Sequence, residues 1–132
     1  MIDNFCDYIK SFSDYVGASG CTDKEIVEGE KLLNLRFAQE YKQYLKEIGL
    51  ACFAGHELTG LTSIERLSVI AVTLQERAYH PEVPETWYVV EQTNISGIVV
   101  WQDVTGDIYI TSPCGTSRKI NDSLLEYIST SI

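Results

Sequence analysis

The side chains that could carry chemistry are few and are spread along the chain. Cys52 and His56 stand four residues apart, and Cys114 is followed by two basic residues, Arg118 and Lys119. A zinc site needs about four thiolate or imidazole ligands at short spacings, and a cysteine nucleophile needs a base beside an activated thiol. Because the chain has only two histidines and no Cys-x-x-Cys, neither a metal site nor a cysteine nucleophile is favoured.

Two pairs of carboxylates have a spacing that would suit acid–base work. Glu82 and Glu85 lie in a loop with two prolines, and Asp103 and Asp107 bracket a turn. Acids at turns more often accept hydrogen bonds from backbone N–H groups than act on a substrate. The sequence therefore predicts no catalytic residue, no metal ligand and no cofactor, and a small hydrolase using Cys114 or these acids is the minor alternative.

The charge balance narrows the class of partner. The chain has 132 residues, which predicts a single domain over residues 1–132, and a net charge of −9. A strongly acidic protein is a poor ligand for a nucleic-acid backbone but suits a basic protein partner. Between residues 76 and 107 there is one basic residue, Arg77, against six acidic residues: Glu76, Glu82, Glu85, Glu91, Asp103 and Asp107.

The ends and apolar runs of the sequence predict a cytoplasmic protein. The N-terminal residues include acids where a signal peptide carries positive charge. No apolar run approaches the ~20 residues of a membrane helix. We expect the four cysteines, at positions 6, 21, 52 and 114, to be reduced thiols, as is usual in a cytosol.

The stretch from residue 35 to residue 60 predicts the packing centre of the fold. Its first half has the apolar periodicity of an amphipathic helix, and Gly49 follows where a left-handed residue would end that helix. Residues 50–54 and 56–59 then predict a hairpin that turns at Gly55. The apolar stripe of the helix consists of Phe37, Tyr41, Tyr44, Leu45 and Ile48.

This stretch resembles the signature of the SUKH superfamily, which includes Syd, a yeast cell-wall-synthesis regulator and many bacterial toxin-immunity proteins. The chain departs from the signature at Ala38, where the family usually has the proline that starts the helix. The matching positions are Phe37, Tyr41, Tyr44, Leu45, Gly49, Gly55, Gly60 and Leu61.

Further helices are predicted on both sides of this stretch. The first spans residues 3–12 with Asp3 as its cap, and the second runs to about residue 33 behind a Thr22–Glu25 capping box. Residues 63–78 have the spacing of a helix capped by Ser63, although their β-branched residues also suit a strand. A last helix begins after Asp122 or Ser123.

The last third of the chain predicts a β-meander. Residues 87–91, 97–102 and 107–111 form short runs separated by turns, and residues 118–120 add a fourth short strand. Simple alternation places Trp87, Val89 and Glu91 on one face, and leaves Trp101 and Tyr109 as candidates for partial exposure. The expected fold class is α+β, with an antiparallel sheet (hairpin plus C-terminal meander) packed with four to five helices.

The resemblance implies a function for this sheet. In SUKH proteins the meander is a recognition platform, so we expect a non-catalytic intracellular immunity protein that occludes the active site of a basic protein toxin, often a nuclease. A regulatory scaffold for protein–protein interactions is the alternative, and the chain is expected to be a monomer or weak homodimer. The predicted contact set is Glu82, Glu85, Trp87, Glu91, Trp101, Asp103, Asp107 and Tyr109.

Overall fold

A computed structural model describes residues 5–131. The helices are α1 (Phe5–Lys10), α2 (Asp23–Leu33), α3 (Gln39–Glu47), α4 (Val69–Tyr79) and α5 (Leu124–Ser131), with a 3₁₀ helix at Glu65–Leu67. The strands are β1 (Val16–Gly17), β2 (Ala51–Phe53), β3 (His56–Glu57), β4 (Tyr88–Gln92), β5 (Val99–Gln102), β6 (Ile108–Thr111) and β7 (Ser117–Asn121). The predicted cap Asp3 lies outside the described residues.

Two antiparallel sheets confirm the predicted α+β class. One sheet has the strand order β1-β2-β3, and the other is the meander β4-β5-β6-β7. The sheets meet just beyond β3, where Leu58 bridges to Glu91 and the Thr59 N–H donates to the Val90 carbonyl. The hairpin and the meander are therefore joined through the residues that follow β3. No helix within residues 5–131 combines the length and the apolar character that crossing a bilayer requires.

Helix α3 supplies the aromatic centre of the core, as the sequence predicts. Its apolar stripe is buried throughout, and the rings of Phe37, Tyr41 and Tyr88 contact one another with centroids about 5 Å apart. The hydroxyls of Tyr41 and Tyr44 both donate to the Thr59 carbonyl, at 3.2 and 3.1 Å. The helix is thus attached to the junction of the two sheets by polar as well as apolar contacts.

The end of α3 and the hairpin turn require glycine where the sequence has it. Gly49 has φ of +82°, and a Cβ there would lie 2.3 Å from the Ser19 carbonyl oxygen. Ala54 and Gly55 both have positive φ, as the central residues of a tight hairpin turn of type I′ do. The Asp14 carboxylate accepts the Ala54 N–H. The chain can therefore pass from helix to hairpin with almost no linker.

The start of α3 uses an interaction that proline would remove. The Ala38 N–H donates to the buried Tyr88 hydroxyl at 2.9 Å, and this hydroxyl donates to Gln102 Oε1 at 2.8 Å. Gln102 Nε2 in turn donates to Glu40, whose carboxylate also accepts the N–H groups that begin α5. The carboxylate suits the positive end of the α5 dipole. This series of hydrogen bonds joins α3, β4, β5 and α5.

The other helices partly follow the sequence predictions. The capping box is present, because the Glu25 N–H donates to Thr22 Oγ1 and the Thr22 N–H donates to the Glu25 carboxylate. Residues 69–79 are helical, but the predicted cap Ser63 is wrong: Ser68 accepts the Ala71 N–H instead. Gly60 pairs with Ser68 through a β-bridge, and the 3₁₀ turn occupies the preceding residues, which delays the helix start.

Replacing Tyr88 with Phe should lower the free energy of unfolding by about 1–3 kcal/mol, because the change leaves the Ala38 N–H and Gln102 Oε1 buried without this partner. Urea denaturation measures the change. Tyr79→Phe is the matched control, because Tyr79 is exposed and its hydroxyl should be worth no more than about 0.5 kcal/mol. Equal losses of stability in the two variants would show that the hydrogen bonds of the Tyr88 hydroxyl do not stabilise the fold.

Raising the pH above 10 should unfold the protein progressively. Burial raises the pKa of Tyr41, Tyr44 and Tyr88 above the ordinary value of 10, because the phenolate is disfavoured in the core. The folded state then keeps protons that the unfolded state loses, so the stabilisation is complete below pH 10 and is lost as the pH rises past it.

Each buried tyrosine contributes a slope of up to about 1.4 kcal/mol per pH unit. Urea titrations at pH 8 and pH 10.5 measure the loss. Tyr88→Phe should lose less stability than the wild type over this interval, because one buried phenol is missing. A loss of the same size in both proteins would show that Tyr88 ionises as easily folded as unfolded.

Candidate partner-binding surface

One face of the meander packs against α4, and we call it the outer face; it carries a stack of aromatic rings. Trp87 lies parallel to Tyr109 with ring centroids 3.9 Å apart and an interplanar angle of 14°. Trp101 lies beneath them, 6.2 Å from Trp87 between centroids. These rings belong to a hydrophobic cluster that is separate from the main core and that includes Val72 of α4 and Val83 of the following loop. The face is therefore covered over β4 and β5, and Tyr109 on β6 is the aromatic residue that stays partly exposed.

The expected partial exposure of Trp101 is wrong. Its side chain is fully buried, at 0% exposure, and its indole N–H donates to Thr111 Oγ1 at 2.9 Å. Trp101 is buried because α4 and its following loop pack against the outer face, while the other helices pack against the inner face. A strand with large residues on both faces can be covered on both, and Trp101 cannot contact a partner in this conformation.

Tyr109 and Asp103 form the centre of the exposed part. The Tyr109 hydroxyl donates to Asp103 Oδ2 at 2.9 Å, and the other carboxylate oxygen accepts the Thr105 N–H. Burial and the bond to Asp103 raise the pKa of Tyr109 to about 12. Tyr109 therefore stays neutral at physiological pH and holds the Asp103 carboxylate at the edge of the aromatic stack.

Asp107 lies beside this centre and is joined to β7. Lys119 pairs with Tyr109 across the strands, and its ammonium lies 3.2 Å from Asp107 and 2.7 Å from Asp122. Hydrogen bonds to these two carboxylates raise the pKa of Lys119, and the bond to Asp122 has the larger effect. The carboxylates outnumber the cation, so this corner of the meander remains negative despite Lys119.

The loop of residues 80–87 places Glu82 and Glu85 on the surface. Arg77 of α4 donates from Nη2 to the carbonyls of Glu85 and Trp87, which fixes the end of this loop. Burial lowers the pKa of Arg77. Glu82 lies 3.3 Å from His80 Nδ1 at the other end of the loop. The sequence identifies Arg77 as the one basic residue of the acidic segment but does not predict that it fixes this loop.

Glu91 is not a surface residue, which corrects its place in the predicted contact set. A β-bulge lies between Val89 and Glu91, so Val89 pairs with Trp101 while Glu91 pairs with Val100. The extra residue turns the Glu91 side chain to the inner face, where it is only 3% exposed. Strict alternation along β4 therefore gives the wrong face after the bulge.

The buried Glu91 carboxylate holds three elements together. It accepts the Tyr127 hydroxyl at 2.7 Å and the Glu57 N–H at 2.9 Å, and His56 Nδ1 lies 2.9 Å from Oε1. Burial and the nearby Glu91 charge raise the pKa of Tyr127. Strand β4 is in this way connected to the hairpin and to α5, which is a structural role.

Five of the predicted residues form what we call the acidic–aromatic patch: Glu85, Trp87, Asp103, Asp107 and Tyr109. Trp87 is buried, at 8% exposure, and stacks on the partly exposed Tyr109. Asp103 and Asp107 lie beside Tyr109, and Glu85 is exposed two residues before Trp87. Glu82 lies at the far end of the adjoining loop, and Glu91 and Trp101 are interior. The patch offers carboxylate oxygens around a rigid aromatic stack, an arrangement that can accept hydrogen bonds from a cationic surface.

The residues considered for nucleophilic or metal chemistry lie apart from this patch. Cys52 is exposed on β2, while His56 points to Glu91. Cys114 is exposed in the β6–β7 turn, with its sulfur 3.4 Å from Ser112 Oγ. The structure brings neither thiol to an imidazole among the contacts described for residues 5–131.

The order of elements, the helix-to-hairpin junction and the meander define an α+β protein. A comparison with protein families matches residues 2–130 to the SUKH_5 family, described as SMI1-KNR4 cell-wall. The chain belongs to this family, and the resemblance stated from residues 37–61 is confirmed. A search of curated proteins found no match.

Replacing Glu91 with Gln should lower the free energy of unfolding by about 2–4 kcal/mol, because the Tyr127 hydroxyl and the Glu57 N–H lose the charged acceptor that they share beside His56. Urea denaturation measures this change. Glu85→Gln serves as the control, since Glu85 is exposed and a surface change costs within about 0.5 kcal/mol. If the Glu91 variant were as stable as the wild type, the structural role assigned to Glu91 would be contradicted.

Proposed function

We propose that the protein is a non-catalytic immunity protein that binds a basic toxin domain and occludes its active site. Membership of the SUKH_5 family supports this role, because the resemblance to the SUKH superfamily implies a relation to toxin-immunity proteins. The net charge of −9 gives the protein a field that attracts a cationic partner and repels nucleic acid. The acidic–aromatic patch is the observation that carries the proposal.

The patch has the chemistry of a surface that covers a cationic groove. Asp103 and Asp107 are held in place by Tyr109 and Lys119, so their carboxylates lose little freedom when a partner binds. Tyr109, held by its stack on the buried Trp87, gives a rigid and partly exposed aromatic ring beside the acids, and aromatic residues are enriched where binding energy is concentrated. A nuclease needs a basic cleft for its own substrate, and this surface is complementary to such a cleft.

The proposed contact set is therefore Glu82 together with the accessible members of the patch: Glu85, Asp103, Asp107 and Tyr109. Glu91, Trp87 and Trp101 act from the interior, the first by fixing β4 and the two tryptophans by supporting Tyr109. We propose that the protein acts in the cytoplasm, where a toxin entering a cell would meet it, and that it is a monomer or weak homodimer.

A regulatory scaffold is the second candidate. The description of the matching family, SMI1-KNR4 cell-wall, favours it. Co-expression distinguishes the two functions. If the protein is an immunity protein, a neighbouring gene should encode a secreted protein with a variable C-terminal domain, and the chain should restore growth to cells that express that domain. Growth arrest that persists in the presence of the chain would contradict the immunity role.

Neutralising three acids at the proposed surface should slow association with the toxin domain about tenfold at low salt, because electrostatic steering is reduced. The variant is Glu82→Gln with Glu85→Gln and Asp107→Asn. Stopped-flow or surface plasmon resonance measurements over a range of salt concentrations give the rate and its salt dependence.

The matched control removes the same charge elsewhere, on α2 and in the 3₁₀ helix: Asp23→Asn, Glu28→Gln and Glu65→Gln. Asp23 is an ion-pair partner of Lys46, as Asp107 is of Lys119. Only the first variant should lose salt sensitivity as well as rate. Equal slowing in both variants would show that net charge acts without a defined acidic surface.

A further inference from the structure

A cavity of about 360 Å³ opens between the end of α4 and the β4–β5 hairpin. It lies next to the start of the loop that carries Glu82, since His80 is among its lining residues. Three elements contribute to it: the last turn of α4, the two strands with their turn, and the β6–β7 turn. The residues that line it are Glu76, Tyr79, His80, Gln92, Asn94, Gly97, Ile98, Val99 and Pro113.

The cavity is negatively charged, and the carboxylate of Glu76 that carries this charge is held in one orientation. Gln92 Nε2 donates to Glu76 Oε2 at 2.7 Å, which orients the carboxylate. The other oxygen of Glu76 accepts no side-chain hydrogen bond among those described for residues 5–131. Glu82 adds a second carboxylate beside the cavity through its contact with His80. No lysine or arginine is among the residues that line the cavity.

Exposed apolar groups belong to the elements that form the cavity. Tyr79, which lines it, is 70% exposed, and Ile95, in the turn whose Asn94 and Gly97 line it, is 67% exposed. The β4–β5 turn that presents Ile95 is held by Thr93, whose hydroxyl accepts the Ile95 N–H and donates to the Ile98 carbonyl. Aromatic and aliphatic surface around a fixed carboxylate is typical of a site that receives a side chain with a long apolar stem and a cationic end.

We propose that this cavity receives an arginine side chain of the protein partner, with the guanidinium on Glu76 and stacked against Tyr79. This inference rests on the proposed function for the existence of a protein partner. Arginine fits better than lysine, because its planar guanidinium can both donate to a carboxylate and stack on an aromatic ring. Asn94 lines the same cavity and its side-chain oxygen can accept a further N–H. The acidic–aromatic patch and this cavity would then contact one partner from both ends of the loop of residues 80–87.

The cavity can be tested without the toxin. The probe is the peptide acetyl-Gly-Arg-Gly-amide, titrated into the full chain up to about 20 mM, in the range of a weak single-side-chain site. The readout is the NMR shift of the Gln92 side-chain amide. The peptide with citrulline in place of arginine has nearly the same shape without the charge, and it should bind at least about tenfold more weakly.

Glu76→Gln should remove the saturable shift, whereas the matched control Glu28→Gln on α2 should leave it unchanged. Tyr79→Ala changes an exposed side chain and should weaken binding about two- to fivefold, and it carries the test if Glu76→Gln does not fold. Equal binding of the citrulline peptide, no saturable shift with arginine, or wild-type binding by folded Glu76→Gln or by Tyr79→Ala would each overturn the proposal. Arginine binding without rescue from a toxin would contradict only the immunity role, and rescue without arginine binding would contradict only the cavity assignment.

Discussion

Thr59 is the residue at which helix α3 and the two sheets are joined by hydrogen bonds. Its carbonyl accepts the hydroxyls of Tyr41 and Tyr44, its N–H donates to Val90, and its own hydroxyl donates to the Val89 carbonyl at 2.8 Å. All these groups are buried, so each must find its partner inside the protein. The short hairpin and the long meander can form one continuous core because this junction satisfies them.

The bulge in β4 lies at the same junction and gives the two faces of the meander different side chains. The Val89 side chain belongs to the outer cluster with Trp101, whereas Val90 and Glu91 both turn inward. The inner face then carries polar bonds that fix the core, and the outer face carries aromatic packing that α4 covers. What remains for another protein is the margin of the outer face, where Tyr109 reaches solvent, and the two ends of the loop of residues 80–87.

Local patterns predicted much of this fold, because local forces decide those parts. The stripe on α3 and the Thr22 capping box depend on spacing of three or four residues, and the structure contains both. The errors have long-range causes. Ser63 loses its capping role to Ser68 because the chain first pairs with Gly60. Glu91 changes face at a bulge, a feature that alternation does not predict. The cavity at Glu76 likewise needs a helix end and two turns that lie far apart in sequence.

The bond between the Ala38 N–H and the Tyr88 hydroxyl has an evolutionary consequence. The backbone at Ala38 has φ of −62°, which a proline ring adopts without strain, so the family's usual proline would fit the shape of the chain here. Proline has no N–H, however, and its presence would leave the tyrosine hydroxyl without this donor. We therefore expect the two positions to vary together: family members with proline at the helix start should carry phenylalanine at the strand position, or a water molecule in place of the missing amide.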